Sequence, residues 1–290
     1  MSNYSIKDLE QLSGIKAHTL RIWEQRYDML KPDRTDTNIR TYTDEDLKLV
    51  LNIALLKEHG YKISAIAGMS NEAVCQEVLH VSEKKLSYPD QIHALTLAML
   101  DLDEERFEKI ISTNTLQVGF EQTMTQVVFP FLNRVGTLWL ANSIGVAQEH
   151  FIANLIRQKI VVAIDGQLPV RKEGAKKFLL YLPEGELHEI GLLFANYLIR
   201  SREHKVVYLG QNLPFNDLIF TSNIHQPDVI FSIFTTSPTP EETQAYVYQL
   251  GQTFPNTSIL LTGHQVVGQD IDCPDNVTII TRVQELIQMI

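Results

Sequence analysis

The second half of the chain alternates short apolar runs with amphipathic stretches of helical period, and no other feature constrains the fold as strongly. The apolar runs are 178–182, 206–209, 229–234, 259–261 and 277–280. Helical patterns separate them, and a last helix is expected at 283–290. This alternation predicts a parallel sheet with helices on both faces. Ligands of such sheets bind outside the carboxyl ends of the strands.

The middle of the chain has a continuous helical pattern. From about residue 78 to 166 it is interrupted only at 87–89, 101–103, 119 and 143–145. Four helices with loops of this length predict a bundle. Pro130 is expected to kink its helix rather than end it, because apolar spacing resumes after it. A polar stretch, 167–177, then predicts a linker.

The chain opens with two short helices joined by a turn. Ser5 is a candidate N-cap for the first helix, Gly14 lies in the turn, and 16–27 form the second helix. Two helices in this arrangement predict a helix-turn-helix. After a break at 31–34, residues 39–42 form a short extended piece and a candidate wing.

The three patterns divide the chain into three expected domains. They are a winged helix-turn-helix at 1–75, a four-helix bundle at 76–170 and a flavodoxin-like parallel-sheet domain at 171–290. A chain of 290 residues is long enough for two or three cores. Thr43 and Asp46 form a capping-box variant that predicts one more helix behind the wing.

Charge is distributed unevenly between these regions. Residues 1–70 carry ten basic and ten acidic side chains, so the whole net charge of −10 falls on the remainder. A net negative charge argues against a protein that binds nucleic acid of any sequence along its length. The two parts of the chain are expected to meet different partners.

The sequence also indicates a cytoplasmic protein. No apolar run approaches the roughly 18–20 residues that span a bilayer, so no membrane association is expected. The first residues lack the basic and apolar segments of a secretory signal. The two cysteines, Cys75 and Cys273, lie far apart and suggest neither a disulfide framework nor a metal site.

The second helix carries side chains that suit nucleic acid. His18, Arg21, Gln25 and Arg26 point away from its apolar face, and such residues reach base edges or phosphates in a major groove. A solvated helix face is the alternative for charges alone.

The strings at 19–27, 31–34 and 40–42 resemble the winged helix-turn-helix of MerR-family regulators over about residues 4–70. The resemblance implies binding to double-stranded operator DNA, with Arg26 and Arg40 on phosphates. The DNA contacts that it implies are His18, Thr19, Arg21, Arg26, Arg34, Arg40 and Tyr42. No sustained heptad follows residue 70, so self-association to a dimer or tetramer is expected through the other domains.

One loop of the α/β region has the composition of a ligand site. His188 follows the first predicted strand, where a ligand would bind, and Gly191 permits close approach at the start of the next helix. Glu186 could hold the second ring nitrogen of His188 and fix its tautomer. The alternative is an ordinary surface histidine.

This loop resembles the Asp/Glu-x-His-x-x-Gly motif of cobalamin-binding domains, over residues 176–290. The resemblance implies that His188 is the lower ligand of cobalt, and that Gly210, Ser232 and Gly263 also bind the cofactor. The sequence departs from the usual pattern of these domains at two places. One is the string 232–234, and the other is His264, which replaces the second residue of the usual Gly-Gly. An imidazole at 264 could crowd the nucleotide tail of the cofactor.

Trp139, followed after nine residues by Glu149 and His150, resembles the cap over the upper cobalamin face in light-sensing MerR regulators of the CarH/LitR type. The resemblance implies that these three residues lie at the upper axial group of the cofactor, which is expected to be adenosylcobalamin. In the light-sensing proteins a histidine directly follows the tryptophan. Here Leu140 occupies that position, so the light response is expected to differ or to be absent.

The leading hypothesis is a transcriptional regulator, a repressor or an activator, whose oligomeric state and operator affinity depend on cobalamin. The alternative is a MerR-type regulator with a degenerate effector domain that binds another ligand or none. A cobalamin enzyme would need a substrate domain of about 200 residues or more, for which no room is left. No nucleophile elbow or phosphate loop is visible, so no catalytic residue is expected.

Overall fold

The structure is a computed structural model that describes residues 4–35, 38–58, 60–84, 88–140, 143–167 and 173–290. Its chain divides into two compact units, Met1–Leu155 and Ile156–Ile290. The winged region and most of the bundle, expected as separate domains, lie together in the first unit. The domain boundaries near 75 and 170 stay predictions.

The first unit begins with the expected winged helix-turn-helix. Its elements are α1 (Ile6–Ser13), α2 (Ala17–Tyr27), β1 (Asp33–Arg34), β2 (Arg40–Thr41), α3 (Asp44–Glu58), α4 (Ile63–Ile66) and α5 (Asn71–Lys84). Ser5 caps α1 in a capping box with Asp8, and Gly14 ends the helix in a left-handed conformation. The antiparallel pair β1 and β2 forms the wing. The strand Asp33–Arg34 lies where the sequence indicated only a break.

Helices form the rest of the first unit. They are α6 (Tyr88–Asp101), α7 (Glu104–Val118), α8 (Phe120–Thr123), α9 (Phe129–Leu140) and the first part of α10 (Val146–Asp165), which extends past Leu155 into the second unit. A π-helical turn, Met124–Val128, joins α8 to α9, and the N–H of Phe129 donates to the carbonyl of Met124. Pro130 lacks an N–H, and the helix accommodates it after this wider turn and continues to Leu140. The prediction that Pro130 does not end its helix is confirmed.

The second unit is the expected parallel sheet with helices between its strands. The strands are β3 (Lys177–Pro183), β4 (Lys205–Leu213), β5 (Val229–Ile233), β6 (Ser258–Thr262) and β7 (Val277–Ile279), and the helices after α10 are α11 (Ile190–Ser201), α12 (Phe215–His225), α13 (Pro240–Thr253) and α14 (Val283–Met289). The strand order is β4-β3-β5-β6-β7, and every pairing is parallel. Lys177, predicted as linker, is the first residue of β3.

The core of the second unit is apolar and lies against the sheet. Leu179, Ile230 and Leu261 are fully buried and represent β3, β5 and β6. The carboxyl ends of these strands meet at one edge, which we call the carboxyl edge.

Among the described helices of the chain, none is long and apolar enough to cross a membrane.

Candidate functional site

The exposed face of α2 is the one that the sequence predicted. Leu20 and Trp23 are buried against the rest of the unit. His18, Arg21 and Arg26 are exposed, whereas Thr19 is half-buried. Three side chains that can donate hydrogen bonds to DNA therefore share the solvent side of the second helix.

The wing is fastened to α2 by an ion pair. The Nε of Arg40 donates to both carboxylate oxygens of Glu24, at 3.0 and 3.3 Å. This hydrogen bond raises the pKa of the Arg40 guanidinium above its ordinary value. Arg34, on the other wing strand, is exposed and donates to Asn38 at 2.6 Å. The sequence analysis missed Glu24, because its partner lies sixteen residues away in another element.

Tyr42 does not belong to the exposed surface, which corrects the expectation that it contacts DNA. Its side chain has no solvent exposure. Its backbone pairs with that of Tyr4 in an isolated antiparallel bridge, which turns the ring inward directly after β2. Burial raises the pKa of its hydroxyl. Tyr42 is a packing residue at the base of the wing.

A buried carboxylate organises the loop after β3 at the carboxyl edge. Glu186 has no solvent exposure, yet it accepts hydrogen bonds from two directions. Its Oε1 accepts from the backbone N–H groups of Leu187 and His188 at 3.0 and 2.9 Å. Its Oε2 accepts from three consecutive backbone N–H groups after β5, those of Thr235, Thr236 and Ser237, at 2.9, 2.6 and 3.1 Å. One carboxylate thus joins two loops.

The same carboxylate fixes the ring of His188. Nδ1 of His188 lies 2.6 Å from Oε1 of Glu186, and because a carboxylate only accepts, Nδ1 carries the proton. A metal bond from this ring would then use Nε2. The imidazole side chain is 60% exposed while Glu186 is buried. Burial alone would raise the pKa of Glu186, but the hydrogen bonds from His188, Thr236 and Ser237 together hold it well below its usual range.

Glycines let neighbouring loops approach closely at this edge. A Cβ on Gly263, which has a φ of 107°, would lie 2.4 Å from the carbonyl oxygen of Phe234, so no other residue fits there without backbone movement. A Cβ on Gly191 would lie 2.8 Å from Cδ1 of Ile233. Gly210 in β4 is buried and has a φ of 77°. These three positions shape the edge through their lack of a side chain.

Two other residues at this edge depart from the expected motif. Ser232 is fully buried, and its hydroxyl donates to the carbonyl of Tyr181 at 2.8 Å, joining β5 to β3. A contact between Ser232 and a cofactor stays a prediction. His264 is exposed beside Gly263. Whether it crowds a bound ligand also stays a prediction.

A second network beside His188 was missed by the sequence analysis. Glu189, which is 9% exposed, accepts from Nε of Arg157 at 2.5 Å and from the hydroxyl of Tyr208 at 3.2 Å. Burial, followed by the nearby charge of Glu189, raises the pKa of Tyr208. Glu189, which directly follows the candidate ligand His188, is therefore bonded to α10 through Arg157 and to β4 through Tyr208.

In the first unit, three further predicted cofactor residues lie near the ends of α9 and α10. Trp139 is 44% exposed, which is unusual for so large an apolar side chain. Oε2 of Glu149 lies 2.5 Å from Nδ1 of His150, and both are at the surface, with side chains 36% and 67% exposed. The side chain of Leu140 lies outside the part that the structure describes.

Family models match two parts of the chain. Residues 4–73 match the MerR HTH family of regulatory proteins. Residues 91–163 match a B12 binding domain. The chain thus combines a region similar to the MerR HTH family with a region similar to a B12 binding domain. The second match covers residues of α6 to α10 and not the parallel sheet.

Similar proteins cover most of the chain. It is 27% identical over 259 residues to the HTH-type transcriptional repressor CarH of Myxococcus xanthus, which covers 87% of this chain and 85% of that protein. It is also 27% identical over 240 residues to CarA, another HTH-type transcriptional repressor of the same organism, covering 82% and 78%. The fold over 70% of this chain resembles the monomethylamine corrinoid protein of Methanosarcina barkeri, 98% of which is covered, with a TM-score of 0.57 and 13% identity.

Proposed function

We propose that this MerR-type protein is a transcriptional regulator that binds cobalamin at the carboxyl edge and whose operator affinity depends on that cofactor. The observation that carries the proposal is the pair Glu186 and His188, because the buried carboxylate fixes the proton on Nδ1 and makes Nε2 the nitrogen that can bind a metal. Such a carboxylate–histidine arrangement raises the basicity of a metal ligand.

Cobalamin would supply a cobalt ion that an imidazole nitrogen can bind. The residues present at the edge fit this group. His188 is the exposed donor, and Gly191 and Gly263 let the loops of the edge pack closely around it. In the cap, Trp139, Glu149 and His150 are the proposed contacts on the upper side, which agrees with their exposure at the ends of α9 and α10.

At the other end of the chain, His18, Thr19, Arg21 and Arg26 of α2 and Arg34 and Arg40 of the wing are the proposed DNA contacts. A short α2 offers a small base-reading surface, and winged domains of this size read two half-sites as dimers. We therefore propose self-association to a dimer or tetramer. A repressor in the cytoplasm without catalytic activity is the form that the similarity to CarH and CarA favours.

The test uses adenosylcobalamin and the purified full chain in the dark. After mixing and desalting, the protein should remain coloured, and its affinity for a duplex selected by the protein from a random-sequence pool should change when the cofactor is bound. A colourless protein that still binds the duplex would support the alternative, a regulator with a degenerate effector domain.

Light sensing is a separate part of the proposal. Leucine cannot ligate cobalt, so the wild-type spectrum after illumination should lack the signature of a second imidazole. Leu140→His should add such a signature, since it places an imidazole next to Trp139 in the sequence. Spectra of the two proteins before and after illumination test this, and a second-imidazole signature in the wild type would contradict it.

A further inference from the structure

Tyr4 contacts three parts of the first unit. Its backbone N–H and carbonyl pair with those of Tyr42 at 2.9 Å each, at the base of the wing. Its hydroxyl oxygen lies 2.7 Å from Oδ1 of Asp44, the first residue of α3. The same oxygen lies 2.5 Å from the carbonyl oxygen of Ser143. Tyr4 and Ser143 are both about 1% exposed.

The hydroxyl of Tyr4 cannot fully satisfy both acceptors. A phenol has one proton, whereas a carboxylate and a backbone carbonyl only accept hydrogen bonds. The single proton of Tyr4 can be shared between Asp44 and Ser143 or given mainly to one of them. Two acceptors within reach of one donor therefore allow alternative arrangements of this hydrogen bond, and a coupling element requires such alternatives.

Ser143 lies in the connection between the two helices of the proposed cap. Its N–H donates to the carbonyl of Leu138 at 2.8 Å, one residue before Trp139. On the other side of the connection, the N–H of Gly145 donates to the side chain of Gln148 at 2.9 Å, one residue before Glu149. The backbone that Tyr4 contacts is thus fastened to both ends that carry proposed cofactor contacts.

The opposite side of Tyr4 is fastened to the DNA-binding part. Tyr42 directly follows β2, which carries Arg40. Asp44 opens α3, whose Leu47 and Val50 are fully buried. A change at the hydroxyl of Tyr4 can reach the wing through Tyr42 alone. The guanidinium of Arg134 also contacts the N-terminal region, but it donates to the carbonyl of Leu12 at the end of α1 and not to a residue beside the wing.

We propose that the Tyr4 hydroxyl couples the connection between α9 and α10 to the position of the wing, by donating to Ser143 in one state and to Asp44 in the other. This inference rests on the proposed control of DNA affinity by cobalamin. A shift of the Ser143 carbonyl, when Trp139 and Glu149 change their contacts, moves the hydrogen bond to Asp44 and alters the support of Tyr42.

The main test is Tyr4→Phe, which keeps the ring and removes the hydroxyl. The measured quantity is the ratio of DNA dissociation constants without and with adenosylcobalamin, for the duplex selected by the wild type. A single hydrogen bond of this kind is expected to change the ratio by about 3- to 10-fold toward 1. Tyr61→Phe is the matched control, since its hydroxyl bonds Glu77 of α5 and not a residue of β1 or β2. Its ratio should equal that of the wild type.

Asp44→Asn is the second variant, and it tests the proton directly. An amide can donate to the Tyr4 oxygen, and its neutral carbonyl oxygen is a weaker acceptor than a carboxylate, so the proton of Tyr4 is shifted toward Ser143. The ratio should again fall toward 1, and without cofactor the amide hydrogens of 40–46 should exchange more slowly than in the wild type. This variant keeps the tyrosine and remains informative if Tyr4→Phe folds poorly.

The outcomes separate the two proposals. If the wild type stays colourless or its ratio is 1, the proposed function fails and the coupling with it. If the wild type responds to adenosylcobalamin and Tyr4→Phe and Asp44→Asn respond within twofold of it, the proposed function stands and Tyr4 is only a packing residue. Absorbance titration of each variant checks that cofactor affinity itself is unchanged.

Discussion

The carboxyl edge and the wing each use a glutamate to hold a functional side chain, but the two glutamates differ in their surroundings. Glu186 is fully buried and accepts from five backbone N–H groups besides the ring of His188. The side chain of Glu24 is 17% exposed, and its described partner is the Nε of Arg40, whose side chain is 25% exposed.

This difference separates a rigid ligand from an adjustable contact. Backbone donors from two loops fix Glu186, so His188 is oriented before any ligand arrives, and preorganisation of this kind lowers the cost of binding. A partly exposed ion pair contributes only about 0–1 kcal/mol. With one exposed edge and a single described partner, Arg40 is expected to exchange Glu24 for a phosphate more easily than His188 can lose Glu186. The proposed cofactor site is preformed, whereas the proposed DNA contact can adapt.

The largest expected effect is on cofactor affinity. His188→Ala should weaken cobalamin binding by about 10- to 100-fold or more and leave the bound cofactor in a base-on or water-ligated form, because the protein's lower ligand is lost. Absorbance titration measures both. His18→Ala, an exposed histidine of α2, is the control and should bind like the wild type. A His188→Ala protein with wild-type spectrum and affinity would remove His188 as the ligand.

The next effect concerns the stability of the second unit. Glu186→Gln should lower the free energy of unfolding by about 1.5–3 kcal/mol, since a charged acceptor is lost and an amide N–H₂ faces backbone donors. Glu149→Gln removes a surface carboxylate that has a similar contact with histidine, and it should change stability by less than about 0.5 kcal/mol. Urea unfolding followed by circular dichroism compares the two variants.

The pH dependence sharpens this comparison. The pKa of Glu186 is lowered on folding, so its contribution is fully present above the ordinary carboxyl pKa of 4.5 and is lost as the pH falls toward the folded value. The stability difference between wild type and Glu186→Gln should therefore shrink when unfolding is measured at successively lower pH below 4.5. A difference that stays constant would mean that the pKa of Glu186 is not lowered.

The sequence predicted the elements that repeat a local pattern. The runs at 229–234 and 259–261 correspond to β5 and β6, because buried parallel strands are apolar along their whole length. The strand Asp33–Arg34 was missed, since two polar, exposed residues carry no such pattern and only their pairing with Arg40 and Thr41 defines them.

Contacts between distant residues were beyond a local pattern. The sequence around Arg40 does not predict that Arg40 contacts Glu24 while the side chain of Tyr42 is buried. Both residues have polar-tipped side chains and lie in one extended piece. The loop of His188 was easier to interpret, since Glu186 lies only two residues from the ring that it holds. The contact of Tyr4 with Ser143 spans 139 residues and has no signature in the sequence.

The smallest expected effect is on the DNA contact. Arg40→Ala should weaken binding to all duplexes alike and lower the slope of log K against log salt by about one unit, because one phosphate contact releases about 0.9 counterion. The matched control is Arg282→Ala, which removes the same charge from an exposed position in the second unit. Its slope should stay at the wild-type value, because Arg282 is not a proposed DNA contact.

Glu24→Gln then tests the ion pair. If Glu24 only orients Arg40, the variant that combines Glu24→Gln with Arg40→Ala should have the same slope as Arg40→Ala alone. An unchanged slope in Arg40→Ala would mean that Arg40 stays with Glu24 on DNA, and that the wing is as rigid as the carboxyl edge.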